Sequence, residues 1–183
     1  MNMHKLRRLC EKLIDLFFIF IKSSTGYARY KGVQVGENCR ILIKEFGTEP
    51  WLITVGDNVT ITNGVKLLTH DGSTWLMKDE AGRRYLYRRI KIGNNVFIGA
   101  NSIILPGVII DDDVIVAAGS VVTKSVPSGY IVAGNPARKV RDFDEYKSFV
   151  LKNYVPDKGL DIRKSYFERI NEVLDNTYKK YMD

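Results

Sequence analysis

Aliphatic residues recur every six positions along much of this chain. Ile92, Ile98, Ile104, Ile110, Val116 and Val122 follow one another without a slip, and Val55, Ile61 and Leu67 form a shorter run before them. Four residues after these starts stand Val59, Val65, Val96, Ser102, Val108, Val114, Ser120 and Val126, a second column of β-branched or small side chains. A helix repeats its face every 3.6 residues and a plain strand every two, so neither imposes this spacing. A coiled sheet does: each short strand turns a corner, one aliphatic side chain per unit fills the interior, and a smaller one fits the corner. The pattern predicts a mainly β fold, a parallel β-helix whose stacked coils pair their backbones about 4.8 Å apart. Sandwich strands fit less well, because their turns recur every 8–12 residues. The second place of a unit is Gly at Gly56, Gly93 and Gly99, but Thr62, Leu68, Leu105, Asp111, Ala117 and Thr123 take it elsewhere, so a small-residue rule is only partly kept.

The two ends differ in texture. Leu6, Leu9, Leu13, Leu16, Phe17, Phe20 and Ile21 follow helical spacing between Lys5, Arg7, Arg8, Lys12 and Lys22, which predicts an amphipathic helix over residues 3–22. Its longest unbroken apolar run, Leu16 to Ile21, falls far short of the ~20 residues that cross a bilayer. Two placements are open to it: packing on the β-helix or a neighbouring subunit, or lying peripherally in a membrane interface. Phe167, Ile170, Leu174 and Tyr178 predict a helix within 161–182, after a shorter one near 142–154, with Pro156 and Gly159 between them. The expected organisation is a helical segment 1–29, a β-helix 30–141 interrupted by a loop 69–91, and a helical segment 142–183.

At 183 residues one domain can bury a core without disulfides. Cys10 and Cys39 show no metal-ligand spacing and read as free thiols, and with no secretion signal evident the expected location is cytoplasmic. The net charge of +7 favours anionic ligands. Lys78, Arg83, Arg84, Arg88, Arg89 and Lys91 face only Asp79 and Glu80 in one stretch, yet no groove-binding motif accompanies them, so nucleic acid is not expected.

Between Leu67 and Ile92 the period breaks, and the string LLTHDGSTWLM carries His70. A loop thrown from a rigid solenoid is held at its base while its side chains stay accessible. The chain has two histidines, and His4 lies at the N-terminus. An imidazole titrating near neutrality suits a general base that takes a proton from a hydroxyl or amine; the other reading of His70 is a loop residue bonded to local backbone. Asp71 either orients His70 or shapes the turn with Gly72, and Trp75 either anchors the loop or meets an acceptor. A zinc site of three histidines cannot be assembled from the repeats, so no metal is expected.

The strings IGNNVFIGANSIILPGVII, AAGSVVTKSVP and AGNPARKV resemble the hexapeptide-repeat acyltransferases, in particular the group of maltose, galactoside, chloramphenicol and capsule O-acetyltransferases. That resemblance covers about residues 30–141 and implies a left-handed, three-sided β-helix, against the usual right-handed crossover. It implies an acetyl-coenzyme A-dependent O-acetyltransferase acting on a carbohydrate, with His70 as general base and the backbone N–H of Ala100 as oxyanion donor. Ala118 and Thr123 match positions that meet the pantetheine arm, and Lys124, Arg138, Lys139 and Arg141 match or adjoin those that meet the nucleotide phosphates. Phe97 stands where many relatives have Trp, keeping an apolar wall beside the thioester but losing the indole donor. On the family's 18-residue coil, Glu49 lies one coil before Leu67, where a carboxylate could hold the His70 tautomer. Arg83 and Arg84 point to an anionic acceptor, with surface-polysaccharide synthesis as the setting. The resemblance further implies homotrimers with active sites between subunits. N-acetylation of an amino sugar and a non-catalytic scaffold are the alternatives.

Overall fold

The computed structural model describes Leu13, residues 24–161 and residues 163–181. Its elements are α1 (Ser24–Lys31), β1 (Gln34–Val35), β2 (Arg40–Ile41), β3 (Ile53–Val55), β4 (Thr60–Ile61), β5 (Lys66–Leu67), β6 (Lys78–Asp79), β7 (Gly82–Arg83), β8 (Ile90–Ile92), β9 (Phe97–Ile98), β10 (Ile103–Ile104), β11 (Ile109–Ile110), β12 (Ile115–Val116), β13 (Val121–Val122), β14 (Tyr130–Gly134), β15 (Ala137–Asp142), α2 (Phe143–Asn153) and α3 (Tyr166–Val173). The short strands fall on three faces, ordered β1-β3-β8-β11, β2-β4-β9-β12-β14-β15 and β5-β10-β13. All of their pairings are parallel except β14 with β15.

Ile92 pairs with Ile110, Ile98 with Val116 and Ile104 with Val122, so one turn of the helix takes three six-residue units. Both sequence columns point inward. Ile61, Ile98, Ile104, Ile110, Val114 and Val116 are fully buried, as are Ser102 and Ser120 in the corner column. The two serine hydroxyls donate to the carbonyl of Ala117 at 3.0 and 2.6 Å, so the polar corner residues cost no unpaired group. Each buried aliphatic side chain contributes about 1.5–3 kcal/mol, and none of the two- or three-residue strands could persist without that stacking.

The corners carry polar ladders that the aliphatic pattern does not announce. Asn38, Asn58, Asn95 and Asp113 adopt left-handed backbone angles, φ 55°, 57°, 54° and 56°, which Asn and Asp tolerate best among residues with a side chain. Asn38 donates to Asn58 (3.1 Å), Asn58 to Asn95 (2.9 Å), and Asn95 to Asp113. One residue earlier, Asp57, Asn94 and Asp112 each accept a backbone N–H from the preceding coil.

Helix α1, which the sequence pattern missed, sits at the first coil. Ala28 joins the core, and Gly32 (φ 104°) ends the helix while Val33 N–H reaches the Ala28 carbonyl at 3.1 Å, a Schellman-type stop. Arg29 donates to the carbonyls of Val35 (3.0 Å) and Gly36 (2.7 Å), covering part of an otherwise open sheet edge. At the other end, the hairpin β14–β15 closes the second face with an antiparallel strand. The helix expected over 3–22 lies outside the described residues except for Leu13, which is helical and exposed.

The chain divides into two compact units after Phe143. Within the second, α2 carries Asp144 and Glu145 in its first turn, favourable against the helix dipole. A capping box of Ser165 and Glu168 starts α3. The helix expected within 161–182 stops at Val173, short of the predicted Leu174 and Tyr178: Leu174 is extended, and Asp175 accepts the Thr177 N–H at 2.9 Å in a competing local turn. No helix among the described residues is long and apolar enough to cross a membrane.

Gly99 illustrates how closely the coils stack. A Cβ there would lie 2.4 Å from the Ala118 nitrogen, whereas one at Gly72, in the loop, would meet nothing within 4 Å. Gly99→Ala is therefore expected to cost about 1–3 kcal/mol in urea unfolding, and Gly72→Ala less than about 0.5 kcal/mol.

Candidate functional site

The interruption after β5 leaves and rejoins the β-helix as a two-stranded stem. Arg88 N–H donates to the Thr69 carbonyl at 2.8 Å, Asp71 N–H to Leu86 at 3.2 Å, and His70 pairs with Tyr87. Beyond the stem come a 3₁₀ turn, Gly72–Leu76, and a small hairpin of β6 and β7. Arg88 lies across Gly107, where a Cβ would come 2.7 Å from Arg88 Cδ, so the returning leg rests on the third coil. His70 thus stands at the root of the loop, held by the coils rather than carried on its tip.

Facing it is the irregular segment 42–52, which occupies the third face of the first coil without a strand. Ile43 and Phe46 are buried there, and Gly47 (φ 69°) turns the chain toward Glu49. Glu49 Oε2 accepts from Thr69 Oγ1 at 2.6 Å and lies 2.9 Å from His70 Nδ1, while Oε1 accepts from the Thr48 hydroxyl. Its side chain is 12 % exposed, against 41 % for His70. An ionised carboxylate can only accept, so Nδ1 carries the proton, and the Nε2 lone pair is left as the base. Burial pushes the Glu49 carboxyl upward, but hydrogen bonds from Thr48, Thr69 and His70, with the attraction of His70, outweigh it and hold the group below the usual glutamate range.

Asp71 is used differently. Its Oδ1 accepts from Ser73 N (2.9 Å) and Ser73 Oγ (2.7 Å), and those bonds hold its carboxyl below the ordinary aspartate range. It shapes the turn, and the carboxylate on His70 is Glu49. Arg84 is likewise internal, donating to Asp79 Oδ2 at 2.5 Å and to the Gly82 carbonyl. Arg83 lies against two rings, 4.7 Å from the centroid of Trp75 and 4.6 Å from that of Tyr85. Tyr85 stacks on Tyr87 at 6.2 Å, and Tyr87 lies 5.8 Å from the His70 ring.

A second cluster lies at the far end of the β-helix. Lys124, Arg138 and Lys139 line a pocket of about 250 Å³ with Ser125, Val126 and Tyr130. Lys139 Nζ sits 4.3 Å above the Tyr130 ring and also pairs with Asp142, and Arg138 donates to its neighbour's carbonyl. Thr123 is exposed beside this pocket and Arg141 is half-buried on β15. Phe97 points outward from β9 between Thr60 and Ile115, 40 % exposed. Ala100 and Ala118 occupy turns one coil apart; the Ala100 N–H donates to no acceptor among the described residues. No hydrogen bond or ring contact among the described residues joins His70 to Phe97, Ala100, Ala118 or the basic pocket. No group of three or more metal-ligating side chains occurs among the described residues.

Sequence reasoning passed over Thr48, Thr69, Tyr85, Tyr87 and Tyr130. One signal was present: Arg83, Tyr85 and Tyr87 alternate, and period two puts them on one face of an extended segment.

A three-sided parallel β-helix that throws out a histidine-bearing loop defines the class of hexapeptide-repeat proteins, and the family described as bacterial transferase hexapeptide (six repeats) matches residues 89–124. Protein CapG of Staphylococcus aureus is 47 % identical over 153 residues, 82 % of this chain and 89 % of that protein. Galactoside O-acetyltransferase of Escherichia coli (strain K12) is 34 % identical over 123 residues, 67 % of this chain and 60 % of that one. The crystal structure of a maltose O-acetyltransferase from Clostridium difficile 630 superposes with a TM-score of 0.51 at 33 % identity, covering 61 % of this chain and 59 % of that one. The chain belongs to the hexapeptide-repeat transferase family, and its fold is the left-handed parallel β-helix. It spans most of CapG but less than two thirds of the galactoside and maltose enzymes.

Because the Glu49 carboxyl titrates lower folded than unfolded, its bonds stabilise fully above the usual glutamate pKa and are lost as pH falls through the depressed value. Thermal melting of wild type and Glu49→Gln should therefore differ at neutral pH and converge only as pH falls below the usual glutamate range.

Proposed function

We propose that this protein is an acetyl-coenzyme A-dependent O-acetyltransferase acting on a carbohydrate in surface-polysaccharide synthesis. The observation that carries the reading is the Glu49–His70 pair at 2.9 Å, rooted in the coils. Membership of the family and likeness to proteins named as galactoside and maltose O-acetyltransferases support the donor and the acceptor class. The basic pocket supports the same donor: Lys124, Arg138 and Lys139 around about 250 Å³ suit an anionic nucleotide end.

Acetyl-coenzyme A, when bound, supplies the acyl group as a thioester. The chain's own task is to hold and move one proton. His70 Nε2 takes it from the acceptor hydroxyl as that oxygen attacks the thioester carbonyl, Glu49 stabilises the imidazolium that results, and Nε2 gives the proton up to the departing thiol sulfur as the C–S bond breaks. Thr48 and Thr69 keep Glu49 ionised and fixed, so the ring does not swing when its charge changes. The Ala100 N–H, without an acceptor among the described residues, is suited to an oxygen that gains negative charge.

Among the described residues no hydrogen bond or ring contact joins His70 to the residues assigned to the donor, and the outward faces beside them carry exposed Phe97 and Ile109. A homotrimer that brings the loop of one chain to the coils of the next supplies the missing proximity. His70→Ala should lower turnover in a thiol-release assay by about 10²–10⁴-fold while coenzyme A affinity stays the same. Unchanged turnover, or a monomer in light scattering of the active protein, would contradict this assignment.

A further inference from the structure

The loop holds a row of side chains that the reaction as described leaves without a task. From the His70 ring the row runs to Tyr87 (5.8 Å), Tyr85 (6.2 Å), the Arg83 guanidinium (4.6 Å from the Tyr85 centroid) and Trp75 (4.7 Å from Arg83). Tyr87, Tyr85 and Trp75 are 51, 63 and 67 % exposed, too much aromatic surface to be explained as anchoring of the loop.

Arg83 differs from its neighbour in one respect that points to a ligand. Arg84 is engaged by Asp79 and Gly82. Arg83 pairs with no carboxylate among the described residues, and its Nε is buried without an acceptor. Its guanidinium is planar in itself, and its donors form the fork that matches a carboxylate. Contacts with both Trp75 and Tyr85 restrain the side chain beforehand, so less rotamer freedom is lost when the acid arrives.

We propose that this row is the acceptor track, and that Arg83 reads a carboxylate on the carbohydrate, one or more sugar units from the hydroxyl presented to His70. The inference rests on the acetyltransferase reading above and names its substrate class: an acidic oligosaccharide, lying along Tyr87 and Tyr85 by its apolar ring faces. Aromatic walls with a few fixed polar groups are the usual composition of such a site. The local charge agrees, since Arg88, Arg89 and Lys91 follow on the same stretch while Asp79 is already paired.

Calorimetry on the full chain tests this with trigalacturonic acid, its fully methyl-esterified form and galactose 1-phosphate, alongside coenzyme A on the same sample. The acid should bind at least about tenfold more tightly than its ester, and Arg83→Gln should abolish that difference. Arg83→Lys, which keeps the charge but not the planar fork, should lose most of it, so the point stands even if the glutamine variant does not fold. Equal affinity for acid and ester, discrimination that survives in Arg83→Gln, or galactose 1-phosphate binding as tightly as the acid would each overturn the assignment. So would failure of both oligosaccharides to bind, which would mark the aromatic row as a protein contact. Coenzyme A binding with no acid preference sinks this inference alone; loss of coenzyme A binding sinks the acetyltransferase reading instead.

Discussion

Stacking of inward aliphatic side chains is the constraint on which this structure depends. Strands of two or three residues have almost no cooperativity of their own, and they exist because each coil buries an Ile, Leu or Val on the one before it. Backbone hydrogen bonds between coils follow from that registration, as do the Asn and Asp ladders at the corners. A ladder residue can bond its neighbour only because the coils repeat at a fixed spacing. Gly99 shows the other side of the same rule, since the spacing leaves no room for a side chain beneath Ala118.

The site arises where this repetition is broken twice. In the first coil, Val35 pairs with Val55 and Ile41 with Ile61, two residues more than the 18 that separate Ile92 from Ile110. In the next, Thr60 pairs with Phe97, so a loop has been added between stacked strands. The first insertion supplies Glu49 and the second supplies His70, on the same face of adjacent coils. A carboxylate and an imidazole are therefore held by a stiff frame, although each sits on irregular chain. That combination gives a fixed tautomer together with an accessible nitrogen.

Much of the frame was legible because the aliphatic period is unbroken from Ile92 to Val122. The first coil was harder to read: Gly47 stands opposite Leu67, where an aliphatic residue would be due, and Ile43 and Phe46 fill the core from irregular backbone instead. Counting 18 residues back from Leu67 brought Glu49 to the right neighbourhood, and the true 20-residue register sets it against Thr69 and His70. Helix α1 escaped notice because its polar sequence has no apolar stripe, leaving Gly32 as its one punctuation mark. The aromatic row escaped for a related reason: its alternation spans only Arg83, Tyr85 and Tyr87, and Trp75 joins through a turn that no period announces.

The central claim is that Glu49, presented by the first coil, fixes the proton of His70 on Nδ1 and leaves Nε2 free to act. Nitrogen-15 NMR of histidine-labelled protein reads this directly, since His4 is the only other histidine and a His4 variant assigns the signals. Above the histidine titration, wild type should show a protonated Nδ1 and a bare Nε2 at His70, and Glu49→Gln should mix or reverse the tautomers. A proton on Nε2 in wild type, or a pattern unmoved by loss of the Glu49 charge, would contradict the account.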